Sequence, residues 1–134
     1  MTLPGVGPYT ARAIASFSFG ASVAAVDTNL RRVLSRWHGE ELKPAALHAA
    51  AERNLGPDAA EWNQAMMDLG ARVCRPRAPH CDRCPVEQWC AGPGAYVPPR
   101  AQGRFEGSAR QLRGAIIRHL VSTPATFAAL VDAT

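Results

Sequence analysis

The feature that most constrains this chain is a tight turn between two helical stretches near its start, Leu3-Pro4-Gly5-Val6-Gly7-Pro8-Tyr9-Thr10-Ala11. Glycine accepts backbone angles and close approaches that a side chain blocks, so Gly5 and Gly7 suit a hairpin this short. Pro8 suits a first helical turn, where no backbone donor is required. The amides of such a turn, with the helix start that follows, can point at a phosphate oxygen. An ordinary helix connection has the same pattern, and the turn alone does not separate the two. Tyr9 to Phe19 then reads as a helix closed by Gly20, with Ala11, Ile14, Ala15 and Phe19 able to line one face.

Asp27 stands twenty residues after Gly7, just ahead of Leu30, Val33, Leu34 and Trp37 at i, i+3, i+4 and i+7. That spacing predicts a helix ending near His38, with Gly39 following. An aspartate in this position caps free amides and suits the helix dipole. A carboxylate held beside a phosphate-gripping turn is the alternative. The other face carries Arg31, Arg32 and Arg36, expected either as a solvated charged face or as a phosphate-facing patch.

Helical patterning continues. Pro44 opens a stretch through Leu47 and Ala51 to Leu55, stopped by Gly56-Pro57. Asp58-Ala59-Ala60-Glu61 has the form of a capping box and leads into Trp62, Ala65, Met66, Leu69 and Val73, expected as core. Glycine and proline dominate 91–103, which reads as a linker or an ordered coil. Ser108-Ala109-Arg110-Gln111 opens a helix through Leu112, Ile116 and Leu120, and Thr123-Pro124 begins another. His38, His48, His80 and His119 have no partner pattern and are expected to be structural or at the surface.

With 134 residues the chain holds one domain or part of one, and much of its 47% hydrophobic content is alanine, which buries little area. The +4 charge and pI near 9.2 are compatible with a nucleic-acid partner without establishing one. Of fifteen basic residues all but Lys43 are arginine. Arginine suits bidentate phosphate contacts, although GC-rich coding produces the same bias. No apolar run reaches membrane-spanning length, and Met1-Thr2-Leu3 has no charged leader, so the expected location is cytoplasmic.

All four cysteines fall within seventeen residues, as Cys74-x6-Cys81-x2-Cys84-x5-Cys90. Thiols this close point to one metal site rather than a disulfide framework. Zinc with four thiolates is one occupant. The asymmetric spacing, without paired knuckles, and a loop that follows directly from a helix favour an iron–sulfur cluster.

The segment from Leu3 to Arg36 closely resembles the helix-hairpin-helix/Gly-Pro-Asp superfamily of base-excision DNA glycosylases, and the cysteine spacing resembles the cluster loop of its endonuclease III and adenine glycosylase branches. The resemblance implies an all-α fold, a partial helix-hairpin-helix glycosylase domain with a [4Fe–4S] cluster on Cys74, Cys81, Cys84 and Cys90. In that superfamily the hairpin grips the DNA backbone, implicating Leu3, Gly5, Val6, Gly7 and Thr10. The aspartate lies against the sugar under attack, which assigns catalysis to Asp27. The cluster loop faces the backbone too, so Arg75, Arg77 and Arg83 become candidate phosphate contacts. The cluster's implied role is structural or redox.

Branches differ two residues after the second hairpin glycine, where glycosylase/lyases carry a lysine that forms a Schiff base. Here Tyr9 takes that place, and Lys43 is the only lysine. A monofunctional enzyme with water as nucleophile follows, with Tyr9 beside Asp27 in the catalytic set. Gly-Val-Gly-Pro-Tyr-Thr-Ala with Val-Asp-Thr-Asn-Leu-Arg-Arg-Val-Leu-Ser-Arg looks most like the A/G-specific adenine DNA glycosylases, which remove adenine mispaired with guanine or 8-oxoguanine. A mismatch thymine/uracil glycosylase also carries tyrosine here. A non-catalytic helix-hairpin-helix DNA-binding module with a structural metal is the reading of another class.

The implied organisation is 1–40 for the hairpin and aspartate part, 41–90 for the cluster domain, 91–107 for a linker and 108–134 for the start of a further helical segment. The partner implied is double-stranded DNA with one base flipped out, bound by a monomer, with no membrane contact. The resemblance covers about residues 2 to 120, the second half of a catalytic domain. In the family the general-acid glutamate comes from a helix ahead of the hairpin. Glu40, Glu41, Glu52, Glu61, Glu87 and Glu106 stand in other contexts, so a fragment with weak or no activity alone is expected.

Overall fold

Helices in the computed structural model, which describes residues 3–98 and 103–132, begin where the sequence supplies a proline or a capping side chain. α1 (Pro8–Phe19) starts on Pro8 and closes at Gly20, whose φ of 65° is a left-handed cap. α2 (Thr28–His38) is capped by Asp27, which accepts from the Leu30 amide, and ends at Gly39 with φ 78°. α3 (Pro44–Arg53) again begins on proline and stops two residues before Leu55. α4 (Ala59–Asp68) is capped by Asp58, whose carboxylate accepts from the Glu61 amide at 2.9 Å.

α4 then widens into a π-helical turn, Leu69–Val73, closed by a bond from the Cys74 amide to the Leu69 carbonyl at 2.8 Å. Short 3-10 turns follow at Cys81–Arg83, Glu87–Trp89 and Pro93–Ala95. Among the described residues there is no strand, and the all-α expectation holds. No helix is long and apolar enough to cross a membrane among the described residues.

The chain divides after Pro98 into two units. In the first, α2 is the central element. Leu30 and Leu34 are completely buried, and with Val33 they pack against Leu47 and Ala51 of α3 and Met66 of α4. Each fully buried leucine stabilises the fold by roughly 1.5–3 kcal/mol. In the second unit, α5 (Ala109–Ser122) is capped by Ser108, and the Gln111 side chain accepts back from the Gly107 amide. α6 (Phe127–Asp132) follows. Of the expected linker, residues 99–102 lie outside the described residues.

The α1 residues expected to share a face, Ala11, Ile14 and Phe19, are exposed, and the buried residue of this helix is Ser16. Ser16 is drawn in because it accepts a hydrogen bond from Asn63, a buried polar side chain that requires partners. On α4, Ala65 is exposed and Asn63 is fully buried, while Met66, Trp62 and Leu69 pack in or against the core as expected. The π turn shifts the helical phase, so no single 3.6-residue stripe runs from Trp62 to Val73.

Candidate active site and cysteine loop

The hairpin presents its residues outward. Leu3, Gly5, Val6 and Gly7 are exposed, and Thr10 is half-buried in the first turn of α1. Gly5 has a φ of 80° and needs to be glycine. Gly7, the N-cap of α1, has an ordinary φ of −82°, and among the described residues nothing lies within 4 Å of where its Cβ would be. Its value is therefore open space in front of the α1 amides, not an unusual backbone.

Asp27 is held by both carboxylate oxygens. Oδ1 accepts from the Leu30 amide at 2.8 Å and Oδ2 accepts from the Asn29 side-chain amide at 2.8 Å. The helix dipole at this N-terminus favours the anion. Asp27 and Tyr9 line the same cavity, about 420 Å³, with Thr28, Arg31, Pro44 and His48 among its walls. The expected pair is thus brought together. His48, expected to be structural or at the surface, has a buried Nδ1 with no hydrogen-bond partner among the described residues.

The segment leading into Asp27 is anchored from behind by Asn63. Its Oδ1 accepts from the Ala25 amide at 2.8 Å, and its Nδ2 donates to the Ser16 hydroxyl and the Val23 carbonyl, each at 3.0 Å. Every polar position used is satisfied inside the core. This residue was missed because an asparagine on an apolar helix looks like a surface position.

All four cysteines are free thiols, half-buried, and line one cavity of about 120 Å³ together with Arg36, His80 and Glu87. Local structure explains how they are presented. Cys74 closes the π turn, Cys81 opens a 3-10 turn, Cys84 ends it and Cys90 ends the next one. Burial pushes the Cys81 thiol up; neighbouring Cys74, Cys84 and Cys90 add to this, and Arg36 opposes it. Among the described residues, no three His, Cys, Asp or Glu side chains are close enough together to hold a single metal ion.

Arg75 and Arg77 are exposed on this loop; Arg75 is in close contact with His80. The largest departure from the sequence reading concerns the arginines of α2. Arg31 is exposed and pairs with Glu41, but Arg32 and Arg36 are only 3% exposed. They form neither a solvated face nor a phosphate-facing patch. Arg32 donates to the Cys74 and Gly70 carbonyls, at 2.6 and 2.7 Å, and to Asn29 Oδ1 at 2.8 Å. Arg36 donates to the carbonyls of Arg75, Pro76 and Pro93. Tyr96 packs against both guanidinium groups, at 5.8 and 5.5 Å. Loop carbonyls that no helix or strand can satisfy are what draw these two cations inward. The only sequence signal was their i, i+4 spacing.

No protein-family profile matches the chain. It is similar to the adenine DNA glycosylase of Mycolicibacterium smegmatis, 44% identical over 141 residues that take in 97% of this chain and 48% of that protein. It is also similar to the thymine/uracil-DNA glycosylase of Methanothermobacter thermautotrophicus, 35% identical over 97 residues, covering 68% of this chain and 44% of that one. Among solved structures, a thermostable thymine-DNA glycosylase superposes with a TM-score of 0.64 at 36% identity, over 68% of this chain and 45% of that chain. The chain spans about half the length of the curated relatives it matches. Over nearly its whole length the chain is thus similar in sequence to proteins named adenine DNA glycosylases, and over 68% of it similar in helical fold to a thymine-DNA glycosylase.

Proposed function

We propose that this chain forms part of a monofunctional DNA glycosylase that hydrolyses the bond between adenine and deoxyribose where adenine is mispaired with 8-oxoguanine or guanine. The observation that carries the reading is Asp27: a carboxylate fixed at a helix start by two hydrogen bonds, lining one cavity with Tyr9 beside an exposed hairpin. The identity to relatives named adenine DNA glycosylases supports the choice of base.

As the glycosidic bond breaks, positive charge grows on the sugar. A carboxylate whose position is already set stabilises that charge without reorganising. Adenine leaves with a proton supplied by an acid, water adds to the sugar carbon in its place, and the proton that water sheds restores the acid or passes to solvent. The base reaches the site only when flipped out of the duplex, so the hairpin residues Leu3, Gly5, Val6, Gly7 and Thr10 act as the grip on the backbone of double-stranded DNA. Arg75 and Arg77, exposed on the cysteine loop, extend that grip. Tyr9, in place of a lysine, leaves water as the nucleophile.

The cysteine loop fits a [4Fe–4S] cluster. Four free thiols share one cavity, and Arg36, a buried cation, borders it. A four-iron cube takes each thiolate at a different corner, so its donors stand wider apart than those of one tetrahedral ion. Cys74, Cys81, Cys84 and Cys90 would hold it, and once bound it supplies cross-links between the turns of the loop.

The test is a chimera in which this chain replaces the matching stretch of the M. smegmatis adenine DNA glycosylase. Single-turnover assays compare duplexes carrying A opposite 8-oxoguanine, T opposite G and U opposite G. Excision of adenine is expected. Preferred excision of T or U would overturn the adenine reading in favour of a mismatch thymine/uracil glycosylase, which the solved thymine-DNA glycosylase fold supports as the second reading. Binding without excision of any base would favour a DNA-binding module.

A further inference from the structure

Arg36 is a buried cation with no carboxylate in salt-bridge distance among the described residues. Burying a guanidinium without an anion is costly even when its N–H groups are satisfied. Its hydrogen bonds converge on one object. Nε donates to the Pro93 carbonyl at 3.2 Å, Nη2 to Pro76 at 2.9 Å, and Nη1 to Arg75 at 2.8 Å and Cys74 at 3.4 Å. Nη1 also donates to the Cys74 sulfur itself, at 3.2 Å. The Arg36 carbonyl in turn receives the Cys90 thiol at 3.5 Å. One residue of α2 therefore touches the first and last cysteines of the set. Glu87 also borders the cavity, but it is exposed and does not pair with Arg36.

We infer that Arg36 is a positioning residue for the cluster, donating to the Cys74 thiolate and supplying the buried positive charge that offsets the negative charge of the thiolate-bound irons. The inference rests on the cluster reading above. A thiolate is a stronger acceptor than a thiol, so the Arg36–Cys74 bond gains from ligation. The carbonyl bonds hold Cys74 in place beforehand, and Tyr96 limits where the guanidinium can go. Hydrogen bonds to cluster sulfurs and nearby charge are established levers on cluster potential. Taking away a positive charge favours the more oxidised form, so its loss lowers the potential.

The experiment loads the full chain with iron and sulfide under anaerobic conditions, as wild type, Arg36→Met, Arg36→Lys and Arg53→Met. Iron and sulfide per chain, the visible absorption and the midpoint potential are measured. Arg53, exposed in the last turn of α3, controls for the loss of one surface charge. We expect the potential of Arg36→Met to fall, or its cluster to be lost, with Arg53→Met at the wild-type value. Arg36→Lys keeps the charge but cannot reproduce the fork. It should hold the cluster, with absorption and potential displaced from wild type.

A loaded Arg36→Met or Arg36→Lys protein with wild-type potential overturns the inference and leaves the cluster reading standing. Failure of Arg36→Lys to hold any cluster overturns it as well, because charge would then not be what Arg36 supplies. A wild-type chain that takes up no iron overturns the cluster reading and this inference with it.

Discussion

Gly70 lies in the π turn, where the chain passes closest to the start of α2. A Cβ added there would stand 2.6 Å from the Asn29 Cβ and 3.2 Å from the Asn29 Cα. In an ordinary helix, replacing glycine by alanine gains roughly 0.5–1 kcal/mol. Here the obstacle is backbone and the root of a side chain, which cannot swing aside. Overpacking of this kind costs about 1–3 kcal/mol, so the clash outweighs the propensity gain. Asn29 is also the residue between Asp27 and Arg32, bonded to both at 2.8 Å. Pushing it away loosens the Asp27 carboxylate as well as the Cys74 carbonyl that Arg32 holds. Gly70→Ala should therefore lose about 1–2 kcal/mol net, a fall in Tm of about 4–8 °C for each kcal/mol in a unit this size. Urea unfolding, with the slope checked for constancy, reads the loss directly. A Gly70→Ala protein as stable as wild type, or more stable, would refute the reasoning, since helix propensity would then have won.

Asn63→Ala should cost on the order of 3 kcal/mol, because it leaves the Ala25 amide and the Val23 carbonyl unpartnered in the core; thermal unfolding measures it, and a loss under 1 kcal/mol would speak against an anchoring role. Asp27→Asn in the chimera should keep the fold, since the Asn oxygen can still accept from the Leu30 amide, while excision slows by about 10²–10³. Near-normal single-turnover rates in that variant would reduce Asp27 to a helix cap. Borohydride should trap no covalent adduct with DNA, because Tyr9 stands where the lyases carry lysine; trapping that vanishes in Lys43→Ala would contradict this. Anaerobically purified chain should carry about four irons with matching sulfide, and stoichiometric zinc with no iron would reverse the cofactor assignment.

Caps and breakers were legible because they act locally. Asp27, Asp58, Ser108, Gly20 and Gly39 each do in the structure what their neighbours in sequence require. The meeting of Tyr9 and Asp27 in one cavity, and of four cysteines in another, also followed from spacing and resemblance. What was not legible depends on partners distant in sequence. Arg32 and Arg36 are generic solvent residues until a loop some forty residues on offers its carbonyls. Asn63 is likewise indistinguishable from a surface asparagine until the segment before Asp27 lies against it. On α1 the converse holds: Ile14 and Phe19 are apolar yet exposed, since hydrophobicity brings burial only where something is packed opposite.

The π turn at Leu69–Val73 sets a rule for how this chain can vary. Such a turn is in effect one residue inserted into an α-helix. Deleting that residue would restore regular winding with little net rotation, whereas inserting one further residue would rotate everything beyond by roughly 100°. The apolar pattern of α4 would survive, but the Cys74 carbonyl would swing off both Arg32 and Arg36. In this turn the count of residues therefore matters as well as the glycine at position 70. A one-residue insertion in this turn should leave a helical protein that no longer takes up iron.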